Sequence, residues 1–336
     1  MDATITQPDE QERQGFGNLI RSDTARRLLA FGALIVLIIV FSVLSPNFLR
    51  INNVIGIFLA TSVNGILALG VTFVIISGGI DLSIGTVMTF AAVMTGVFIT
   101  QLDWPIWLGI IGGIGTGALA GFVNGVVISW MKVPPFITTL GMMYVAKGLA
   151  LVISGLRPIY FNENPAFREI AMGPIMGLTV DGAEIPNAAI ILIGAAIIGS
   201  LIISKTVLGR YTFALGSNEE ATRLSGVKTN VWKTGVYTLC GTYAGLAGVV
   251  LASRLNSAQP ALGQGYELDA IAAVVIGGTV LNGGEGTILG TVIGAFVMSV
   301  LTNGLRILSV PQEWQIVVTG VILVIAVYMD IIRRRQ

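Results

Sequence analysis

Ten apolar stretches follow one another along the chain, at 28–44, 54–76, 84–100, 104–130, 136–153, 188–203, 236–251, 270–281, 288–301 and 314–329. A bilayer core about 30 Å thick is crossed by roughly 20 apolar residues in helix. Inside it only helices and closed barrels satisfy their own backbone polar groups. The stretches therefore predict an all-α polytopic membrane protein with about ten transmembrane helices. Several are short or interrupted by glycine, as expected where helices are broken or buried inside a bundle. The eighth and ninth are the weakest of the ten.

Composition excludes most other classes. With 54% hydrophobic and 11% charged residues, the chain cannot cover a core as a soluble globule. A lone cysteine, Cys240, rules out an internal disulfide or a cysteine metal cluster, and the absence of histidine removes the commonest zinc ligand and general base. No catalytic residue and no metal site is expected. There is no basic block that would track phosphates, so no nucleic-acid partner is expected. Residues 1–20 are polar, without an apolar run, and read as a disordered cytoplasmic tail. Residues 21–336 read as a single transmembrane domain.

The distribution of Lys and Arg tests the topology, because cytoplasmic loops retain them. With both termini inside, Lys132, Lys205, Arg210, Arg223, Lys228, Lys233 and Arg333 to Arg335 fall inside, against Arg50, Arg157, Arg168, Arg254 and Arg306 outside. Ten spans with both ends on one side can divide into two halves of five, and an odd number per half makes the halves inverted. The sequence carries the matching echo. Gly79-Ile80-Asp81-Leu82-Ser83 recurs as Gly265-Tyr266-Glu267-Leu268-Asp269, Asn124-Gly125 as Asn303-Gly304, and Val133-Pro134 as Val310-Pro311. All three pairs keep their order and are displaced by five spans, which gives halves of about 28–156 and 188–332. A rival match of Gly78-Gly79 with Gly277-Gly278 is displaced by six spans and does not fit an inverted repeat. Glycine abundance and close backbone approach account for it.

The first echo places a carboxylate, Asp81 or Glu267, at the start of an apolar helix, and each motif closes on a residue able to cap one. The first N–H groups of a buried helix need acceptors. A structural role at half-helices, capping them and setting gate geometry, is therefore the expectation for both carboxylates, with direct contact to a solute on a translocation path as the alternative. Between spans, residues 154–187 carry four prolines and charges of both signs, and read as an external surface segment on which a soluble partner could dock. Residues 205–234 form the longest internal loop. There Ser217 or Asn218 can cap a two-turn helix, with Glu219 and Glu220 in its first turn and Gly226 as its stop.

Four long motifs now carry a family resemblance. They are SGGIDLSIG at 77–85, GFVNG with KVPPFITTLGM across 121–142, GRYTFALGSNEEATRLSG at 209–226, and GYELDAIAAVVIGGTVLNGGEGTILGT at 265–291. The chain resembles the permease subunits of ribose-type bacterial ABC importers. Lys147 stands where many relatives are expected to carry Arg, which keeps the charge but loses a planar fork of donors.

The resemblance implies a permease dimer, with a second copy or a paralogue, in the inner membrane. A periplasmic sugar-binding protein would deliver cargo to it. A cytoplasmic ATP-binding subunit, often a tandem of two ATPase domains, would drive it, holding the ATP and Mg while the permease needs no cofactor of its own. No GxxxxGK[ST] loop occurs in the chain. It further implies that Gly216, Ser217, Asn218, Glu219, Glu220, Ala221 and Arg223 form the helix that couples to the ATPase. For a neutral sugar or polyol the path would be lined by uncharged polar groups, and Asn64, Asn124, Thr138, Thr139, Asn303 and Gln315 are candidates. Lys147, inside the fifth span, needs a partner, a wet cavity or a route outward. The tryptophans at span ends fit an interfacial belt. The alternative, an ion-coupled secondary transporter, lacks the mid-span acids or histidines that proton coupling uses. An intramembrane enzyme would need a nucleophile near Lys147, and none is at a recognisable spacing.

Overall fold

The computed structural model describes residues 23–180 and 183–335, and the 1–20 tail lies outside the described residues. Its twelve helices among these residues are α1 (Asp23–Leu44), α2 (Ile51–Ile76), α3 (Ile84–Gly96), α4 (Ile106–Ser129), α5 (Pro135–Ile153), α6 (Pro165–Met172), α7 (Ala188–Lys205), α8 (Val207–Leu224), α9 (Thr229–Leu255), α10 (Tyr266–Ile276), α11 (Ile288–Ile307) and α12 (Gln312–Arg335). Each of the ten apolar stretches lies largely within a helix. Seven of them are long and apolar enough to cross a membrane. These seven leave out the first, eighth and tenth stretches; the eighth forms only the short α10, while the ninth is a full helix of 20 residues. The chain is a polytopic, all-α membrane protein.

Strands are confined to connections. β1 (Ile159–Tyr160) pairs antiparallel with β4 (Ser257–Ala258), and β2 (Pro174–Val180) with β3 (Ala183–Pro186). The 154–187 segment is accordingly a folded piece, with α6 and the β2–β3 hairpin in it. Beyond Gly96, α3 widens into a π-helical turn, Val97–Gln101, which ends where Phe98 stacks on Trp104 at 4.6 Å.

Two helices form the centre. α2 and α9 are buried over most of their length, whereas α4, α5, α7 and α12 turn apolar side chains such as Leu119, Val152, Ile193 and Val324 outward. An apolar exterior around a packed core is what hydrocarbon as solvent demands. Packing relations repeat between the halves. α4 lies on α9 as α11 lies on α2, α3 on α9 as α10 on α2, and α3 on α4 as α10 on α11. The two Val-Pro corners also match in backbone. Lys132, before Val133-Pro134, has φ +61°, and Ser309, before Val310-Pro311, has φ +59°. The correspondence fails at the first helix of each half, since α1 packs on α11 while α7 packs on α2.

The closest crossing is made of glycine. Gly113, Gly117, Gly121 and Gly125 form one stripe on α4, and a side chain at Gly117 or Gly121 would run into the backbone of Gly241 or Gly245 on α9. Small residues every fourth position let two backbones touch, which is how helices associate where lipid supplies no hydrophobic drive.

Candidate functional site

α2 ends in a Schellman turn: the Gly78 N–H donates to Ile75 O and the Gly79 N–H to Val74 O, both at 2.9 Å, with Gly78 at φ +77°. α10 ends the same way, through Gly278 to Val275 O at 2.9 Å and Thr279 to Val274 O at 3.1 Å. The six-span match is therefore shared helix-stop chemistry, a more specific cause than glycine abundance.

From Gly79 the chain runs without helix to Ser83, and Asp81 in this break is 1% exposed. Its Oδ1 accepts from the Ser83 N–H at 2.8 Å and from the Ser83 hydroxyl at 2.6 Å. Asn124 of α4 donates to the Ser83 Oγ at 3.0 Å, and Tyr237 of α9 donates to the Ile80 carbonyl at 3.2 Å. Two helices thus hold one break. On the other side Gly263 and Gly265, at φ +96° and +97°, lead into α10, and both Glu267 carboxylate oxygens accept from the Gly265 N–H, at 3.0 and 3.1 Å. Asp81 reaches forward along the chain and Glu267 reaches back. Ser83 and Asp269, the residues able to cap, do not cap: Ser83 is in helical conformation without a side-chain cap bond, and Gly265 is the residue that precedes α10.

The two breaks meet. Gly85 of α3 abuts the Gly263 backbone and the Glu267 carboxylate, so the N-termini of α3 and α10 share one place. From there the half-helices diverge. α3 runs to Gly96, against Ile159 and Ala258, while α10 runs to Gly277, against Gly290 at the start of α11. Converging N-termini bring together the positive ends of two helix dipoles, a favourable setting for buried carboxylates. Among the described residues neither Asp81 nor Glu267 forms an ion pair with a Lys or Arg. Among the described residues no cluster of three metal-ligating side chains occurs.

The remaining candidates scatter. Lys147 of α5 finds a partner, Gln264 Oε1 at 2.9 Å, in the segment leading to α10, which brings it beside the Glu267 break. Oxygens of Asn64, Asn124 and Thr138 are buried without a hydrogen bond, whereas Thr139 donates to Pro135 O at 2.9 Å. Asn303 exchanges two hydrogen bonds of 3.0 Å with Asn53, which ties α11 to α2, and Gln315 donates to Val310 O at 2.8 Å. Asn53 was absent from the sequence candidates because an amide near a helix start carries no signal of its own.

The 205–234 segment is more helical than a loop with a two-turn helix. α8 occupies Val207–Leu224 and breaks at Asn218, whose φ and ψ are −165° and 100°. The Asn218 Oδ1 accepts from the Ala221 N–H at 2.9 Å, so Asn218 caps the second part, and Gly226 at φ +84° follows its end. Glu219 pairs with Lys233 and Glu220 with Arg223, each at 2.6 Å. The hydrogen bond that the Arg223 guanidinium donates to Glu220, then the Glu220 charge, holds that guanidinium above its ordinary pKa. Ser217, Asn218, Glu220, Ala221 and Arg223 are exposed, while Gly216 is part-buried, where its backbone meets Ile76 and Gly284.

A bundle of membrane helices with two broken segments meeting at its centre, and a capped polar helix at one end, defines a multi-pass protein of the transport-permease class. The chain belongs to the family described as branched-chain amino acid transport system / permease component, whose model matches residues 53–327. It is 41% identical to the ribose import permease protein RbsC of Bacillus subtilis over 96% of each chain. It is 36% identical to the L-arabinose transport system permease protein AraH of Escherichia coli, covering 89% of this chain and 90% of that one. The D-allose transport system permease protein AlsC of Escherichia coli is 34% identical, with 89% of this chain and 90% of its own covered. No solved structure matches the chain.

Proposed function

We propose that this chain is the transmembrane permease subunit of an ATP-driven importer in the bacterial inner membrane, with both termini cytoplasmic and a small neutral sugar or polyol as cargo. The observation that carries the proposal is its near full-length identity with a ribose import permease. Ribose, arabinose and allose are all named for its relatives, and all are small neutral polyhydroxy compounds.

The parts take these roles. Two copies, or this chain and a paralogue, enclose the path, and a periplasmic binding protein delivers cargo onto α6 and the β2–β3 hairpin. Asn64, Asn124 and Thr138 offer the path their unpartnered oxygens, which suit hydroxyl donors. Asp81 and Glu267 fix the breaks, and thereby the geometry of the gate. The α8 turn from Gly216 to Arg223 receives the ATP-binding subunit, which holds ATP and Mg and whose cycle rocks the bundle between two states.

Uptake of labelled pentoses and hexoses into cells that carry the system, with and without the gene for the ATP-binding subunit, tests the proposal. Accumulation should vanish on its deletion while the membrane potential stands. Uptake that persists there, and collapses with an ionophore, would replace this reading by ion-coupled transport.

A further inference from the structure

The exposed turn after Asn218 does not stand alone at its end of the bundle. Gly284, in the connection from α10 to α11, packs on Ser217, and Gly283 packs on Gly216 and Gly78. The Gly284 N–H donates to the Ile76 carbonyl at 2.9 Å, one of the carbonyls left without a partner where α2 ends. Gly78, Gly283 and Gly284 have φ of +77°, +85° and +82°, and side chains at Gly216 or Gly283 would strike backbone. Three segments far apart in sequence therefore meet backbone to backbone: the end of α2, the kink of α8, and the connection after α10. Asn282 and Glu285 of that connection are exposed beside the outward residues of α8.

We infer that the ATP-binding subunit seats on a composite surface, the last turns of α8 together with the 282–285 connection. This rests on the proposal that the chain works with such a subunit. The argument is one of size. Residues 219–224 form a helical piece about 9 Å long. A specific protein interface covers about 800 Å² on each partner, far more than so short a piece presents. The nearest further surface is the connection that Gly284 presses against Ser217. Apart from Ala221 and Leu224 the outward residues of this surface are polar, which suits a partner that arrives through water.

The composite seat also has a mechanical meaning. The connection it includes is continuous with α10, and through Gly78 it touches the segment that carries Asp81. A partner that moves this surface moves the chain on both sides of the paired breaks.

The test uses the whole complex in membranes, with Asn282→Cys and Ala221→Cys each labelled by a benzophenone maleimide and irradiated with and without ATP. Cys240 is buried and contributes no label. Both positions should cross-link to the ATP-binding subunit, while Arg157→Cys, exposed far from α8 in the chain, should not. If Asn282→Cys lowers the yield of complex, Glu285→Cys replaces it. Adducts from Ala221→Cys alone overturn the composite surface and leave the proposed function standing. Adducts from neither overturn the docking of an ATP-binding subunit on α8 itself.

Discussion

Replacing Gly121 by alanine should destabilise the protein, whereas the same change at Gly115 on the same helix should stabilise it. A methyl group at Gly121 runs into the Tyr237 carbonyl and lies 3.0 Å from Gly241 Cα, while Gly115 has nothing within 4 Å. A backbone clash cannot be relieved by a rotamer, so α4 and α9 must part by roughly 0.5–1 Å, which forfeits a quarter to a half of each dispersion contact. Overpacking of this kind costs about 1–3 kcal/mol. Alanine returns about 0.8–1 kcal/mol of helix propensity at either position. The net expectation is a loss of up to about 2 kcal/mol at Gly121, set against a gain of about 0.8–1 kcal/mol at Gly115. One separation also serves two sites, because a methyl at Gly241 would lie 2.8 Å from Gly121 Cα. The double change Gly121→Ala with Gly241→Ala should therefore cost less than its parts, by at least about 0.5 kcal/mol. Equilibrium unfolding in mixed micelles, by rising SDS fraction and followed by circular dichroism, measures the wild type, the single variants at Gly115, Gly121 and Gly241, and the double variant. Equal shifts at Gly115 and Gly121, or strict additivity in the double variant, would refute the account of the crossing.

Other expectations follow from single contacts. Asp81→Asn keeps an acceptor for the Ser83 N–H and should retain transport, while Asp81→Leu buries that N–H unpaired and should cost about 1–3 kcal/mol in the same unfolding assay; loss of transport in a stable Asn variant would show that the charge itself is needed. Glu219→Lys with Glu220→Lys turns two ion pairs, one within α8 and one from α8 to α9, into like-charge pairs and should abolish co-purification of the ATP-binding subunit without changing membrane insertion; normal uptake would remove α8 from the coupling role. Ser309→Val places a β-branched residue at φ +59° and should cost at least about 1 kcal/mol, whereas Ser309→Gly should be neutral or stabilising. Equal stability of the two variants would contradict the left-handed corner.

Hydropathy located the helices because a membrane span is a long, continuous signal. It misplaced the eighth, where the apolar run 270–281 continues past Ile276 into a glycine turn while the helix itself begins at the polar Tyr266-Glu267. The first part of α8 was hidden for the opposite reason: Val207–Ser217 mixes apolar and polar residues without a long run. Its later cap was readable, since Asn before two glutamates has only local chemistry to satisfy. The carboxylate pair Asp81 and Glu267 was likewise visible as an echo. What no local pattern could show was that their breaks meet, because Gly85 and Gly263 touch only through the tertiary fold. The α4 stripe is different. Its four-residue glycine spacing was present in the sequence, and only its partner on α9 required the structure.

The position of α2 bears on how the protein is made. Its main neighbours are α7, α9, α10 and α11, all of which the ribosome reaches later. A soluble chain in that state would leave a sticky surface in water. Here hydrocarbon tails stand in for the missing helices, and they are as apolar as the side chains they replace, so the wait costs little. Assembly is then an exchange of lipid for close packing, at places such as Gly65 against Leu192 and Gly70 against Tyr243. A chain whose synthesis stops after Ile153 is inserted in the membrane and still has no centre.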